Sequence, residues 1–254
     1  MISFPTEQMY LTTVHSFYRD IPSNILTTVS INYGVRNHQR AEPVLTVELD
    51  TDEYVEAKTG AMVSRSATMA ADTEIAGGEG ITGMLSRAIS DEQEMVTNTF
   101  MAEANGAHVT LAPDTPGDIV PIDLAETGRI KAQSGSALAW SPEVEHETAL
   151  NNARNFFSSS ELTVLALDGD GIAFLSSYGS IYSVNISDDD PLIVDEDHLV
   201  AWTDGLDLTR ERDGGIKSSF LGGEGRVTRF SGEGTAWIQT RDPLVFMNGL
   251  SNEN

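Results

Sequence analysis

The sequence predicts an all-β protein made of three pseudo-repeats of one small sheet module, gathered into a compact sandwich or barrel assembly. Three observations predict it. After position 43 the chain reads as short, often alternating apolar segments punctuated by Gly, Asp and Asn, the pattern of strands and turns. SALAWSPE at 136–143 and HLVAWTDG at 198–205 repeat an apolar residue, Ala-Trp and a hydroxyl residue. Wider self-similarity extends these two segments into three passes of the same order of elements.

Each pass opens on a strand: VLTVEL from Val44, DIVPIDL from Asp118 and SIYSVNI from Ser180. A turn and a short strand follow, YVEA at 54–57, RIKA at 129–132 and PLIVD at 191–195. The third segments, TGAMVSRS at 59–66, SGSALAWS at 134–141 and EDHLVAWT at 196–203, align position for position. They place Val63, Leu138 and Val200 together, and Arg65, Trp140 and Trp202 together, so the first pass has lost its tryptophan. A weakly alternating stretch then precedes Glu94, Glu161 or Glu224, and a strand ends in Phe100, Leu167 or Phe230. Glycine-bearing turns, EANGA, DGDG and GEG, supply the positive φ of a tight hairpin before the return strands HVTLAP, IAFLSS and TAWIQT. The three glutamates stand 67 and 63 residues apart, too far for a solenoid coil and suited to a sheet module. Short helical turns are expected near 81–89, 146–156 and 215–221. The β domain is placed at 44–245, with repeats at 44–113, 117–179 and 180–241 and a C-terminal tail at 246–254. Residues 1–43 are an N-terminal extension, either a floppy or misassigned segment or a functional arm.

Composition bounds the function. The 254 residues are 40% hydrophobic and 21% charged, enough for a substantial core. No apolar run approaches the roughly 20 residues of a membrane helix, and the N-terminus lacks the basic and apolar regions of a signal peptide. There is no cysteine, which excludes disulfides, thiolate metal sites and cysteine nucleophiles. Together these point to a soluble cytoplasmic protein without a transmembrane segment. The 39 acidic residues outweigh 15 basic ones, of which only Lys58, Lys131 and Lys217 are lysines. Residues 1–40 carry Arg19, Arg36 and Arg40 against Glu7 and Asp20, a net of +1, whereas 41–254 stand at −25. A switch this abrupt at Ala41 marks a boundary. Acid-rich, lysine-poor composition around an ordinary core is expected of a halophilic protein, so the acidic charge reports habitat rather than a binding face.

The run from about Val44 to Arg241 resembles the Aim-twenty-four (altered inheritance of mitochondria) family. The phrases that carry the resemblance are PGDIVPIDL at 116–124, GIAFLSSYGSI at 171–181, VDEDHLVAW at 194–202, GIKSSFLGGEG at 215–225 and GTAWIQTR at 234–241, in the family's order. The resemblance implies a triplicated module related to the double-stranded β-helix and likened to the tryptophan-sensing RNA-binding attenuator protein. SDEQE at 90–94 departs from the family's glycine-glutamate turn. The resemblance brings no catalytic residue set.

The residues themselves offer little convergent chemistry. A histidine metal site needs two His two residues apart, a carboxylate and a third His converging on one cation. His15, His38, His108, His146 and His198 include no such pair, and Glu145 and Glu147 flank His146 on the opposite strand face. DGDG at 168–171 and SDDDP at 187–191 lack the full calcium loop, since Gly179 stands where the terminal glutamate belongs. GGEGITGMLS at 77–86 and GGEG at 222–225 lack the lysine of a phosphate loop and read as turns. Ser177-Tyr178-Gly179-Ser180 reads as a junction between strands, with no nucleophile elbow. Trp140, Trp202 and Trp237 read as core or subunit contacts. Basic residues come at most in near-adjacent pairs (Arg210 and Arg212, Arg226 and Arg229), which excludes nucleic acid as a partner.

The expected function is therefore a non-enzymatic oligomeric β scaffold or binding protein, with a protein or membrane-associated partner, no catalytic, cofactor-binding or metal residues, and no cofactor. The alternative is a small-ligand- or metal-binding enzyme with a dispersed site between repeats. The charge balance generates one prediction. Because molar salt shortens the Debye length to about 3 Å, screening removes most of the self-repulsion. Thermal unfolding should therefore shift to higher temperature between dilute buffer and molar KCl; an unchanged midpoint would refute the halophilic reading.

Overall fold

The computed structural model of the chain describes residues 11–12, 32–36, 43–75, 96–133, 135–148, 164–211 and 227–242. The described residues are almost all strand. The chain enters with β1 (Leu11–Thr12) and β2 (Asn32–Arg36). A first set of six strands follows: β3 (Val44–Leu49), β4 (Tyr54–Lys58), β5 (Met62–Arg65), β6 (Met69–Ile75), β7 (Val96–Ala102) and β8 (Ala107–Leu111). The second set is β9 (Ile119–Asp123), β10 (Ile130–Gln133), β11 (Ala137–Trp140), β12 (Val144–Thr148), β13 (Val164–Gly169) and β14 (Ile172–Ser176). The third is β15 (Ile181–Ile186), β16 (Leu192–Asp195), β17 (Leu199–Thr203), β18 (Leu206–Glu211), β19 (Val227–Gly232) and β20 (Gly234–Gln239).

Period-two alternation sets the strand faces. In β3, Leu45, Val47 and Leu49 point inward, opposite Leu111, Val109 and Ala107 of β8. β11 is buried at all four positions, as a strand covered on both faces must be, and it reads as a continuous apolar run. The hairpins expected at EANGA, DGDG and GEG are corrected: β7, β13 and β19 do not pair with β8, β14 and β20, so these turns carry the chain from one sheet to another, and glycine permits the sharp reversal. Gly169 and Gly232 have φ of +113° and +86°, and a Cβ on Gly169 would stand 2.1 Å from the Glu143 carbonyl oxygen.

The ladders are antiparallel, and the same pairing order holds in all three sets. The sixth strand of each set lies between the first and the third: β8 between β3 and β5, β14 between β9 and β11, β20 between β15 and β17. The fifth lies between the second and the fourth: β7 between β4 and β6, β13 between β10 and β12, β19 between β16 and β18. Two further pairings, β4 with β11 and β10 with β17, fuse half of one set to half of the next and give two six-stranded sheets. The remaining halves are a five-stranded sheet, β1-β2-β3-β8-β5, and a three-stranded sheet, β16-β19-β18. Strand β2 pairs with β3 from Asn32↔Glu48 to Arg36↔Val44, so sheet structure reaches ahead of the charge switch at Ala41.

Among the described residues helix is confined to two places. Leu124–Thr127 forms α1, capped by the Asp123 carboxylate accepting from the Ala125 N–H and closed by Gly128 at φ +74°. Glu196–His198 forms a 3-10 turn. The turn expected near 146–156 is corrected in part. Residues 146–148 belong to β12, where Val144 is buried, Glu145 and Glu147 are exposed and His146 lies between, a strand's period of two. The rest of that segment, and the turns expected at 81–89 and 215–221, lie outside the described residues.

The 3-10 turn concentrates acid. Glu196 is buried, its carboxylate accepting from Thr228 Oγ1 at 3.2 Å, and Asp195 caps the turn by accepting from the Asp197 N–H. Desolvation, then the neighbouring charges of Asp242, Asp195 and Glu196, raise the Asp197 pKa above its ordinary 3.8, only partly offset by His198. The native state therefore holds this proton to higher pH than the unfolded chain does, and stability falls as pH rises through the raised value. Asp197→Asn should raise the thermal midpoint at pH 7. That advantage should vanish below about pH 3.8, where Asp197 is protonated in both states; an equal midpoint at both ends of a pH series would contradict the assignment.

Candidate functional site at the strand seams

The seams between sets are where residues distant in sequence are forced together. Along β4–β11, Ala57 lies opposite Ala139 and Glu56 opposite Trp140. Along β10–β17, Ala132 lies opposite Ala201, Lys131 opposite Trp202 and Ile130 opposite Thr203. An alanine pair thus occupies the same place in each seam, beside a tryptophan that faces a charged residue.

The two tryptophans are partnered differently. Trp140 is fully buried, and its Nε1–H donates to Glu56 Oε2 at 3.1 Å. The His146 ring lies against it, centroids 4.8 Å apart at 52°, with Nδ1 3.9 Å from the same Glu56 oxygen. Trp202 instead packs edge-on to Phe230 at 6.4 Å, and Lys131 turns to an ion pair with Asp204, whose N–H donates to the Arg129 carbonyl at 3.1 Å. Arg129 in turn pairs with Glu147. These half-exposed ion pairs orient the seam's turns more than they stabilise it.

Burial follows the seams. The core around Phe100 and Val109 takes Leu138, Ala139 and Phe174 from the second set. The core around Ile130 and Leu167 takes Val200, Ala201 and Trp237 from the third. The core around Phe230 and Ile238 takes Val164 from the second set and, among the described residues, nothing from the first.

Two strands that would make a further seam stand at sheet edges. β5 ends the five-stranded sheet, and β16 ends the three-stranded one. Their counterparts β11, β17, β4 and β10 are all paired on both sides. Val63, aligned with Leu138 (2% exposed) and Val200 (0%), is 60% exposed. Met62 is 44% exposed and Ile193 on β16 is 52% exposed. Of the five large apolar side chains that stand exposed among the described residues, three lie on these two edges, so this apolar surface is not scattered at random.

Beside the β10–β17 seam an open cleft of about 620 Å³ is lined by the turns holding Glu126, Arg129, Asp204, Glu233 and Thr235, with Trp237 on its wall. The histidines do not gather there. His108 is on β8, its Nδ1 2.8 Å from Ser66 Oγ. His198 sits before β17, Nδ1 2.8 Å from the Gln239 carbonyl, and His146 lies against Trp140. His15 and His38 are outside the described residues, as are Glu94, Glu161, Glu224 and both glycine-rich stretches. Among the described residues no group of three or more His, Asp or Glu could hold a metal ion. The acidic turns satisfy backbone instead: Asp168 accepts from the Gly169 N–H and Asp188 from the Gly232 N–H. Ser177–Ser180 is a strand junction, with Ser177 Oγ donating to the Gly179 carbonyl. No helix among the described residues is long and apolar enough to cross a membrane.

Sequence reading aligned Glu56 with Lys131 but did not reveal that each faces a tryptophan, because the partners lie 84 and 71 residues away. The Trp140–Glu56 bond makes a testable contribution to the first seam. Glu56→Ala leaves a buried indole N–H without its acceptor, at a cost of about 1–3 kcal/mol. Glu56→Gln keeps an acceptor oxygen and should recover most of that loss in urea unfolding. Equal losses in both variants would show that the carboxylate charge, not the hydrogen bond, carries the effect.

Three comparisons with known proteins bear on this architecture. A solved crystal structure of a Streptococcus pyogenes protein from a structural genomics consortium superposes with a TM-score of 0.71. It covers 88% of this chain and all of its own, at 24% identity, which speaks to the fold alone. An uncharacterised protein of Streptococcus pyogenes serotype M6 is 28% identical over 214 residues, 82% of this chain and 85% of that one. The family model described as Mitochondrial biogenesis AIM24 matches residues 35–241, a span that starts within β2 and closes just past β20 and takes in both seams and both open edges. The chain therefore belongs to the AIM24 family.

Proposed function

We propose that the chain is a non-enzymatic β scaffold, a triplicated six-strand module that works as a homo-oligomer in the cytoplasm of a salt-accumulating cell and presents its assembled surface to a protein or membrane-associated partner. One observation carries the reading. Among the described residues, strands β5 and β16 are paired on one side only, at the very positions where β11, β17, β4 and β10 are paired on both. An exposed edge with apolar side chains is a template for pairing, and proteins that keep one either protect it or use it. The recurrence of one pairing order in three sets is what a triplicated module requires, and the likeness to the attenuator protein and the double-stranded β-helix supports it by analogy. The acidic surface offers no basic track for nucleic acid.

The cleft beside the β10–β17 seam favours a second reading, a binder of small molecules between modules. Its carboxylates from Glu126, Asp204 and Glu233 around Trp237 suit a cationic ligand better than an anionic one.

One experiment separates the readings. Native protein purified in molar KCl is sized by light scattering, and co-purifying proteins, lipids and small molecules are identified by mass spectrometry. The scaffold reading expects a defined multiple of the 27.4 kDa chain, carrying a stoichiometric protein or lipid. A monomer with a bound small molecule would replace it with the second reading.

A further inference from the structure

We propose that β16 of one copy of this chain pairs antiparallel with β5 of a second copy, Val194 opposite Ser64 and Ile193 opposite Arg65, reproducing between chains the seam made twice within one. The proposal rests on the scaffold reading and names the interface that reading leaves open. The register comes from ladders already formed. Val55, Ile130 and Leu192 lie opposite Phe100, Leu167 and Phe230, so Ala57, Ala132 and Val194 hold equivalent places two residues on. On the other side of the seam, Ala139, Ala201 and Ser64 lie opposite Phe174, Trp237 and Thr110, and are likewise equivalent. Ala57 meets Ala139 and Ala132 meets Ala201, so the next member of the series is Val194 with Ser64.

The side chains suit that register. β5 and β16 are each four residues long, as are β10 and β11. Val63, whose equivalents Leu138 and Val200 enter the core of the preceding set, would be carried against the core around Phe230 and Val194, which among the described residues takes nothing from the first set. Arg65, the one base on β5, replaces the tryptophan of the other seams and comes beside Asp195, diagonal to it across the ladder and within reach of a long side chain. β5 is also more polar than its counterparts, with Ser64 for alanine, as a strand exposed until association must be. A second copy is therefore a better occupant than an unrelated strand, because only this chain's β16 carries the matching register. The two edges are different surfaces, so the contact is head-to-tail and either closes into a ring or continues.

The absence of native cysteine makes the test clean. Ser64→Cys and Val194→Cys are made in separate chains, checked for cooperative unfolding, mixed in molar KCl and oxidised. Directly opposed antiparallel residues have Cα atoms about 4.5–5.5 Å apart, within disulfide reach. The mixture should give a reducible dimer that neither variant gives alone. The double variant should give a series of multimers. Ser64→Cys mixed with Ile193→Cys should fall to background, since a shift of one residue turns the side chain to the other face. If either variant does not fold, Arg65→Cys with Ile193→Cys tests the neighbouring pair. An oligomer by light scattering without a mixed disulfide would overturn this interface while leaving the scaffold reading standing. A monomer without one would overturn both. Linkage only within single chains of the double variant would show that the chain closes on itself, and would overturn the second-copy proposal.

Discussion

Pairing of a strand from one set with a strand from the next is the interaction on which the rest of this structure depends. A six-strand set splits into two three-stranded halves, and each half alone has a bare edge and one apolar face to hide. Joining β4 to β11 and β10 to β17 removes four of those edges and brings the apolar faces of neighbouring sets into shared cores. Burial of Leu138 or Val200 at a seam contributes on the order of 1.5–3 kcal/mol each by transfer from water. Such stabilisation is reached only when two sets meet, so the sets are stable together rather than singly.

The seams share geometry and differ in chemistry. The alanine pairs lie beside large neighbours, Phe174 in one core and Trp237 in the other. Around them, Trp140 is tied to a carboxylate whereas Trp202 is packed on an aromatic ring, with Lys131 freed to reach Asp204. Equivalent backbone positions thus tolerate unlike side-chain networks. At the two edges the same positions hold Arg65, a charged side chain suited to water, and Ile193, an apolar one that is 52% exposed.

Among the described residues the acidic side chains build no cluster that could hold a metal ion. Their carboxylates cap turns at Asp123 and Asp195, accept backbone N–H groups at Asp168 and Asp188, or pair singly with Lys131 and Arg129. Around Asp197, the charges of Asp242, Asp195 and Glu196 help to raise its pKa, and desolvation by burial is the larger cause.

Much of the architecture was legible in the sequence. Alternation and glycine turns located the strands, and the alignments of Val63 with Leu138 and Val200, and of Arg65 with Trp140 and Trp202, fall on β5, β11 and β17. Strand periodicity and turn chemistry are local, so one chain carries them openly. The start of the helical turn expected near 146–156 is instead strand, its inward face set by Trp140 and the neighbouring β13, while 149–156 lie outside the described residues. Which strand lies beside which could not be read at all. Ala57 and Ala139 are small residues in unremarkable segments, and nothing within either segment names the other. The exposure of Met62, Val63 and Ile193 was equally hidden, because the same apolar residues in β11 and β17 are buried. The sequence by itself determined five strands of each set, their order and their spacing, and left out the fourth, β6, β12 and β18. Only the tertiary structure decided which edges are joined and which are left bare, because strand pairing is made through backbone groups that every residue shares and is selected by packing between parts of the chain far apart in sequence.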